Sequence, residues 1–469
     1  MKEITLGLIV GNRGFFPDSL VSEGRKEMLS FLEKKGIKVV TLTPEDTNLG
    51  SVESFEDAQK CANLFKEHSD CIDGILVTLP NFGDEKGIAN TIRLSGLEVP
   101  ILIHAFPDSS NAMNLANRRD SFCGKISACN NLIQYDIPFS LTTYHTTGID
   151  DNIFQNDIDW FIKTCKIIKG LHNARLGAIG ARTGPFNTVR YSEKILESER
   201  ISVETLDLSE VFGQINKLKD DDKKVLEKIK EIKEYCPAPG VPEQSFLRMG
   251  KFAYIIEKWV NENKLNAVAL QCWTSIEEYF GIVPCAVMSM MSNSLIPNAC
   301  EVDIMGALSM YILQLASDTP SAIADWNNNY NDDPDRVVLF HCGNFPKYIM
   351  KDMEIGYQKI ISEFVGKENS YGACQGRINA SPMTFLRLST DDVNGIIRSY
   401  LVEGETTDDP LKTFGGYGVA KIDNLQFLMQ YICENGFEHH VALTQSYVSR
   451  AVYEAIYKYL GWDVYYHRP

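Results

Sequence analysis

Residues 71–106, "CIDGILVTLPNFGDEKGIANTIRLSGLEVPILIHAF", show the fold class most clearly. Its pattern predicts a buried strand over residues 71–80, an amphipathic helix over 85–96 and a second buried strand over 99–106. Apolar strands that alternate with helices at this spacing are typical of a parallel sheet covered by helices on both faces. The same alternation continues through the first third of the chain, which predicts a doubly wound α/β domain.

Two further regions follow this domain. Strand-and-helix alternation restarts at "RLGAIGARTGPF" and fades near the polar run "DWNNNYNDDPD", beyond which most segments are strand-like. We therefore predict two doubly wound parallel-sheet (Rossmann-like) domains, at residues 1–150 and 151–330, and a mainly β C-terminal domain at residues 331–469. The turn "GAIGARTG" lacks the G-x-G-x-x-G spacing, so we read it as an ordinary βα turn and not as a dinucleotide site.

Charge and cysteine usage narrow the class of protein. The 469 residues carry a formal net charge of -16, which argues against nucleic acid or an anionic membrane as partner. No apolar run approaches the roughly 18 residues of a membrane span, and the N-terminal apolar run is too short for a signal peptide. The 12 cysteines are spread singly without CxxC pairs, as in a reducing compartment. We expect a cytoplasmic protein.

Two acidic motifs follow predicted buried strands. "ALQCWTSIEEYFG" carries Glu277 and Glu278, and "NACEVDIMGALS" carries Glu301 and Asp303. Ligands of open α/β sheets bind at the carboxyl ends of strands, where these acids fall. A structural alternative is that Glu277 or Glu278 only starts a helix and that Asp303 only caps one. Capping does not explain Glu301, which an extended backbone would place on the same face as Asp303.

A pair of histidines completes the candidate site. "FEHHVALTQSY" contains His439 and His440, which would face opposite ways on a strand, so one of them could reach a metal. A pair that only faces solvent or the core is the alternative. Two carboxylates and one imidazole suit Mn²⁺ or Mg²⁺ better than structural zinc. "LFHCGNFP", with His341 and Cys342, is better explained as a structural turn.

The motifs QCW, EEY, ACEVD and HHVAL, in this order across two α/β regions and a β-rich region, resemble the L-fucose isomerase and L-arabinose isomerase superfamily. The closer resemblance is to its fucose-isomerase-like branch. It implies a metal-dependent intramolecular oxidoreductase that interconverts an aldose and a ketose, with a fucose- or arabinose-type monosaccharide as substrate. It also implies Mn²⁺ as cofactor, with Mg²⁺ or Co²⁺ suited to the same ligands. A homo-oligomer, trimer or hexamer, with sites near subunit interfaces is expected.

Carried over residue by residue, the resemblance implies that Glu277, Asp303 and His440 bind the metal, with Glu278 as the alternative to Glu277. Glu277 and Asp303 would also carry protons. The family has Asn where this chain has His439. Five side chains are expected to contact the sugar: Arg13, Gln271, Trp273, Glu301 and His439. For Arg13, which follows the first predicted strand, a loop-stabilising surface arginine is the alternative.

Two rival functions remain open at this point. Tandem α/β units also form sugar-sensing or regulatory proteins, although the acidic constellation and the absence of an export signal count against this class. A metal-dependent sugar epimerase or aldolase would share the metal and the enediolate and differ only in the bonds formed.

Overall fold

A computed structural model of the chain describes residues 4–111 and 113–468. It divides into two compact units. The first contains the described residues through Lys169 together with Arg450–Gly461, and the second contains Gly170–Ser449 together with the described residues from Trp462 onward. The predicted domain boundaries at residues 150 and 330 stay predictions.

The first unit is built on a five-stranded parallel sheet in the order β2-β1-β3-β4-β5. Its elements are β1 (Thr5–Val10), α1 (Asp18–Lys34), β2 (Lys38–Val40), α2 (Phe55–Glu67), β3 (Gly74–Leu79), α3 (Glu85–Ser95), β4 (Ile101–Ala105), α4 (Ser121–Gln134), β5 (Ser140–Leu141) and α5 (Asn152–Leu171).

Residues 71–106 form β3, α3 and β4, as their pattern predicts. All residues of β3 and β4 are buried, as expected for strands covered on both faces. The Asp84 side chain caps α3 by accepting a hydrogen bond from the Gly87 amide at 2.6 Å. The helix ends at Gly96, whose φ of 67° suits a residue without a side chain.

The second unit begins with a four-stranded parallel sheet in the order β7-β6-β8-β9. Its elements are β6 (Arg175–Ile179), α6 (Glu193–Ser198), β7 (Ser202–Leu206), α7 (Leu208–Ile215), α8 (Lys223–Tyr235), α9 (Glu243–Asn263), β8 (Ala267–Leu270), α10 (Ser275–Tyr279), α11 (Cys285–Asn293), β9 (Asn298–Cys300) and α12 (Ile304–Ser317).

The same unit continues into a nine-stranded mixed sheet in the order β12-β13-β16-β11-β10-β17-β14-β15-β18. Its elements are β10 (Ser321–Asn329), β11 (Arg336–His341), β12 (Met350–Tyr357), α13 (Lys359–Val365), β13 (Tyr371–Ile378), β14 (Ser381–Asp391), β15 (Ile396–Thr407), β16 (Gly416–Lys421), α14 (Leu425–Glu434), β17 (His440–Thr444), α15 (Ser449–Tyr453) and β18 (Asp463–His467). Strand β15 also pairs with β16, which closes six antiparallel strands into a ring of pairings. The predicted fold class, two parallel-sheet α/β regions followed by a mainly β region, is confirmed.

Residues 450–461 return to the first unit near the end of the chain. They form most of α15 and a π-helix over Glu454–Tyr459. The Tyr459 hydroxyl accepts from the Ile101 amide at 3.1 Å and donates to the Ile101 carbonyl at 2.9 Å. Ser140 donates to Glu454 at 2.6 Å. None of the helices in the described ranges is both long and apolar enough to cross a lipid bilayer.

Strand register brings the acidic motifs of the second unit together. Strands β8 and β9 are parallel neighbours with Leu270 opposite Cys300, so the segments that follow them leave the same edge of the sheet. In the nine-stranded sheet, β10 lies beside β17 with Asp325 opposite His440. These two alignments place the side chains of the candidate site.

Candidate active site

Asp303 is a fully buried carboxylate with every oxygen occupied. It caps α12, with Oδ1 accepting from the Gly306 amide at 2.9 Å. Arg387 donates to both oxygens, from Nη1 to Oδ2 at 2.5 Å and from Nη2 to Oδ1 at 3.1 Å. Burial alone would raise the pKa of Asp303, but Arg387 and His440 hold it well below its usual range. Asp303 is therefore a fixed anion.

Arg387 joins Asp303 to a second buried acid. Its Nε donates to Glu438 at 3.1 Å, and Ser389 donates to the other Glu438 oxygen at 2.8 Å. Burial opposes the charge of Arg387, yet the two carboxylates raise its pKa above the usual value. Neither Arg387 nor Glu438 is among the site residues predicted from the sequence. The available signals were an arginine inside the apolar strand "MTFLRLS" and an acid directly before the two histidines.

His440 lies between two acids at the start of β17. Its Nδ1 donates to Asp303 Oδ2 at 2.8 Å, and its Nε2 lies 3.1 Å from Glu301 Oε2 and 3.5 Å from Asp325 Oδ1. Burial would lower the pKa of His440, but the hydrogen bond to Asp303 and the negative charges of Asp303 and Glu301 raise it to about 10. When only these groups surround it, the imidazole is therefore protonated on both nitrogens at neutral pH and carries a positive charge.

Glu301 lies in the turn between β9 and α12. The turn places Glu301 at φ 62° and Val302 at φ 57°, which reverses the chain within two residues. Trp273 Nε1 donates to Glu301 Oε1 at 3.0 Å. Glu301 Oε2 accepts no hydrogen bond from the described residues, because its 3.1 Å contact with His440 lacks hydrogen-bond geometry. One buried carboxylate oxygen is therefore available for another partner.

His439 lies at the more open side of this group. Its side chain is 40% exposed, and its Nε2 is 3.6 Å from Asp325 Oδ1. Phe186 packs edge-on against both His439 and Trp273, with ring centroids 5.6 and 5.3 Å apart. Phe186 and Asp325 are also not among the site residues predicted from the sequence, because neither belongs to one of the motifs that indicate the family. Only the distant pairing of β10 with β17 brings Asp325 to His440.

Three groups of side chains in the described ranges bring metal-ligating atoms within 4.8 Å of one another. They are Cys272 with Cys300 and Glu301, Glu301 with His439 and His440, and Asp325 with His341 and His440. His440 and Glu301 each occur in two of the groups, whereas Glu277 and Asp303 occur in none of the three. The structure thus brings His440 together with Asp303 and Glu301, and the predicted ligand set stays a prediction.

Glu277 and Glu278, neighbours in α10, differ in burial. Glu277 is fully buried, and neither of its carboxylate oxygens has a hydrogen-bond partner in the described part of the chain. Burial raises its pKa to about 8. Glu278 is exposed. Of the two alternatives, Glu277 is the acid that faces the interior.

Gln271, predicted to contact the sugar, already has protein partners. Its Oε1 accepts from the Ala181 amide at 2.9 Å and its Nε2 donates to Ser275 at 3.2 Å. These bonds tie the turn after β6 to the start of α10. Its predicted role in sugar binding stays a prediction.

Arg13 lies in the first unit, after β1. Its Nε donates to the Gly83 carbonyl at 2.8 Å, its guanidinium pairs with Glu85, and it stacks on Phe82 at 4.5 Å. These contacts stabilise the loop. A role in sugar binding stays a prediction for Arg13 as well.

A cavity of about 260 Å³ lies beside Glu301. Trp273, Thr274 and Gln358 line it together with apolar side chains. It is slightly smaller than the common range for small-molecule sites, about 300 to 1,000 Å³. Glu301 thus lines this cavity and also contacts His440.

Comparison with known proteins gives matches at both ends of the chain. Residues 7–172 match the N-terminal domain of fucose/sulfoquinovose isomerase, and residues 339–468 match the C-terminal domain of L-fucose isomerase. A sulfoquinovose isomerase of Priestia aryabhattai is 22% identical over 345 residues, 73% of each chain. One from Clostridium sp. (strain MSTE9) is 25% identical over 60% of this chain and 62% of the other.

A solved apo-structure of D-lactate dehydrogenase from Escherichia coli aligns with a TM-score of 0.15 and 8% identity, over 66% of this chain and 94% of that one. A score this low carries no argument about the fold. The two domain matches and the curated relatives confirm the predicted family. The chain belongs to the fucose-isomerase-like branch of the L-fucose and L-arabinose isomerase superfamily, and it is an aldose–ketose isomerase.

Proposed function

We propose that this isomerase depends on a divalent metal ion, with Mn²⁺ first and Mg²⁺ or Co²⁺ as alternatives, and that His440 is its nitrogen ligand. The observation that carries the proposal is the setting of His440. It is a buried imidazole between two carboxylates, and buried acid oxygens without hydrogen-bond partners lie in the same unit. Unpartnered buried oxygens are costly, and a cation would supply the missing partner.

Isomerisation moves a proton between C1 and C2 of the sugar and shifts the carbonyl. It needs a base for the carbon-bound proton, an acid for the oxygens and a positive charge near the enediolate. A bound divalent ion supplies that charge as a Lewis acid. The protein must supply the ligands, the proton carriers and a site shielded from water.

The sequence-based ligand set is Glu277, Asp303 and His440. Asp303 Oδ2 is 2.8 Å from His440 Nδ1, and the two Glu277 oxygens have no other described partner, which supports this set. The donors are oxygen and imidazole nitrogen, the types that Mn²⁺ and Mg²⁺ accept. Against it stands Arg387, whose cation already neutralises Asp303.

A second set is favoured by the distances around His440 Nε2. Glu301 Oε2 and Asp325 Oδ1 lie 3.1 and 3.5 Å from it, and neither oxygen has a hydrogen-bond donor in the described residues. In this second set, Asp303 would keep its ion pair with Arg387 and would hold the His440 imidazole through the hydrogen bond to Nδ1. Such a carboxylate–histidine contact orients a metal-binding histidine.

Glu277 is the proton carrier that we assign first. With a pKa of about 8, its carboxyl can hold a proton at Oε near neutral pH and release it without a large free-energy cost. Asp303 remains ionised and keeps the His440 ring in place. In the predicted set, Glu277 would combine this role with metal binding.

The decisive experiment is to strip the purified full chain of metal and assay ketose formation from a panel of aldoses with and without added Mn²⁺. We expect turnover only with the metal. If Mn²⁺ binds and no aldose gives a ketose, the proposal is wrong; epimers or cleavage products would instead support the rival enzyme classes.

Bound Mn²⁺ per chain, measured by equilibrium dialysis, separates the two ligand sets. If the predicted set is right, Glu277→Gln abolishes binding and Asp325→Asn does not; the second set predicts the reverse. Asp303→Asn should lower both metal affinity and turnover, by about 10- to 100-fold if it acts only by orienting His440. Glu278→Gln is the matched control, because this exposed neighbour should leave both unchanged.

We also propose that the substrate is a hexose carrying a sulfonate at C6. The support is that the curated relatives are named sulfoquinovose isomerases. A sulfonated sugar is an anion, and the carboxylates around His440 would repel it. The chain must therefore present a cation to bind the sulfonate, and an arginine guanidinium can donate parallel hydrogen bonds to two of the sulfonate oxygens.

Arg182 is the arginine that we assign to the sulfonate. It lies in the loop after β6, between Ala181, which is bound to Gln271, and Thr183, whose hydroxyl donates to the Trp273 carbonyl at 3.2 Å. Among the described residues, its guanidinium makes only weak contacts with loop carbonyls, at 3.4 and 3.5 Å. It is therefore ready to take a stronger acceptor.

Sulfoquinovose and quinovose, the same sugar without the sulfonate, form a matched substrate pair. Arg182→Gln should lower kcat/KM for sulfoquinovose by about 10- to 100-fold, the range for a charged hydrogen bond, and leave quinovose nearly unchanged. Arg190→Gln, in the same loop and exposed, is the control. Equal losses on both sugars would contradict the assignment.

A further inference from the structure

We propose a second cation site, for thiophilic divalent ions such as Zn²⁺ or Cd²⁺, formed by the Cys272 and Cys300 sulfurs and the Glu301 carboxylate. One ligand atom from each of the three residues lies within 4.8 Å of the other two. All three residues are at most 5% exposed. The site goes beyond the proposed function, because no step of the isomerisation uses a thiol.

The backbone fixes the two sulfurs next to each other. Cys300 ends β9 directly opposite Leu270, the last residue of β8, and Cys272 follows two residues later at the same edge of the sheet. The two sulfurs lie within 4.8 Å of each other. Since adjacent parallel strands hold them, the sulfur pair exists before any ion arrives.

Glu301 supplies the third ligand atom. Trp273 fixes one of its oxygens by a 3.0 Å hydrogen bond, whereas Oε2 accepts no hydrogen bond from the described residues. A buried carboxylate oxygen beside two thiols that accepts no hydrogen bond can take a cation, and its 3.1 Å ion pair with His440 Nε2 is the contact that a bound ion would replace. It is the independent observation that marks the cysteine pair as more than packing.

The cavity of about 260 Å³ gives an ion room to reach the group. Cys272 and Glu301 both line it, and Cys285 and Cys342 line its other walls. Sulfur donors select zinc-like ions, whereas Mn²⁺ and Mg²⁺ prefer oxygen and imidazole. The two kinds of ion therefore have separate preferred positions, and Glu301 is common to both when Mn²⁺ takes the second ligand set.

Binding is a balanced exchange of protons for metal. Each thiol S–H bond breaks, two thiolate–metal bonds form, two protons pass to solvent and no electron is transferred. An ion held here draws Glu301 away from His440. We therefore expect thiophilic ions to inhibit the enzyme at this site.

The test titrates Cd²⁺ into the metal-free full chain, with its exposed cysteines Cys71, Cys123 and Cys433 changed to Ser. The thiolate-to-cadmium absorption band and calorimetry report the binding, so the result does not depend on turnover or on which sugar is used. We expect one Cd²⁺ per chain and the release of about two protons, read from buffers of different ionisation enthalpy. Binding without thiolate absorption would overturn the proposal.

Cys272→Ser and Cys300→Ser should each weaken Cd²⁺ binding by at least about 100-fold, because each removes a thiolate ligand. Cys285→Ser is the matched control: it lines the same cavity, is equally buried and belongs to no ligand group. Glu301→Gln keeps both thiols and the shape of the side chain. It should weaken Cd²⁺ binding and preserve the thiolate-to-cadmium absorption band. This variant tests the site even when a serine variant does not fold. Equal affinity in wild type, Cys272→Ser and Cys300→Ser, or an equal loss in Cys285→Ser, would refute the site.

Discussion

Asp303 and Glu277 are both fully buried carboxylates near the carboxyl ends of adjacent strands, yet their surroundings are opposite. Asp303 receives hydrogen bonds from Gly306, Arg387 and His440, and its pKa lies well below the usual range. Glu277 receives none from the described side chains, and its pKa rises to about 8. Burial alone therefore does not decide the charge; the donors around the carboxylate do.

The comparison assigns the two acids different capacities. A carboxylate held by an arginine cannot give or take a proton near neutral pH, but it can fix the geometry of its neighbours. An unpartnered one can exchange a proton or accept a cation.

Arg387→Met should have the largest effect on stability. It leaves Asp303 and Glu438 buried without their cation, which costs about 3 to 5 kcal/mol of unfolding free energy. Urea denaturation measures the loss. Arg118→Met, which removes an exposed ion pair with Asp120, should cost less than about 1 kcal/mol; equal losses would show that the buried network contributes nothing special.

Glu277→Gln should remove a pH dependence. In the metal-free protein the Glu277 pKa rises from 4.5 to about 8, so the folded state binds more protons than the unfolded state, and stability falls as pH rises through this window. Relative to wild type, the variant should gain about 3 kcal/mol between pH 5 and pH 8. Urea denaturation in a chelator at both pH values measures the difference.

Glu278→Gln, at the exposed neighbour, should leave the pH dependence of the unfolding free energy as it is in wild type. An unchanged slope in Glu277→Gln would mean that Glu277 is solvated. With saturating Mn²⁺, wild type should overtake the variant at pH 8 only if Glu277 is a metal ligand.

Gly306→Ala should disturb Asp303, the carboxylate that Arg387 holds. A Cβ at this position would overlap Asp303 Oδ2 and Ile323 Cδ1, so Asp303 must shift away from Arg387 and His440. We expect a loss of about 1 to 3 kcal/mol in thermal or urea unfolding. Gly213→Ala, also in a helix but in open space, should instead stabilise by about 0.5 to 1 kcal/mol. If both variants lower stability, or both raise it, the overlap of the new Cβ with Asp303 and Ile323 is contradicted.

Ser389→Ala should have the smallest effect. It removes the 2.8 Å hydrogen bond to Glu438 and should cost about 1 kcal/mol, measured by urea denaturation. Ser381→Ala, whose exposed hydroxyl bonds only the adjacent carbonyl, should be nearly neutral. A null result at Ser389 would show that Arg387 alone satisfies Glu438.

The parts of this fold that could be predicted are those encoded by short-range patterns. Residues 71–106 show strand, helix and strand in their own periodicity, and the chain forms β3, α3 and β4 there. Asp303 could be predicted as a helix cap, because a cap depends on a few neighbouring residues. The motif order also sufficed to indicate the family.

The partners of the site could not be predicted in the same way. Arg387 reaches Glu438, and Asp325 reaches His440, only through strand pairings between distant parts of the chain, and local periodicity does not encode register. The choice between Glu277 and Glu278 also depended on the three-dimensional structure. Consecutive residues of a helix point about 100° apart, so one faces the interior and the other the solvent.

The return of residues 450–461 to the first unit sets an order of events during synthesis. Tyr459 and Glu454 make hydrogen bonds with Ile101 and Ser140, whose strands are made more than 300 residues earlier. The ribosome must therefore complete the whole second unit apart from β18 before these bonds can form. A fragment that ends at residue 169 would lack them, and the two units should be separated only as a spliced chain that joins 1–169 to 450–461.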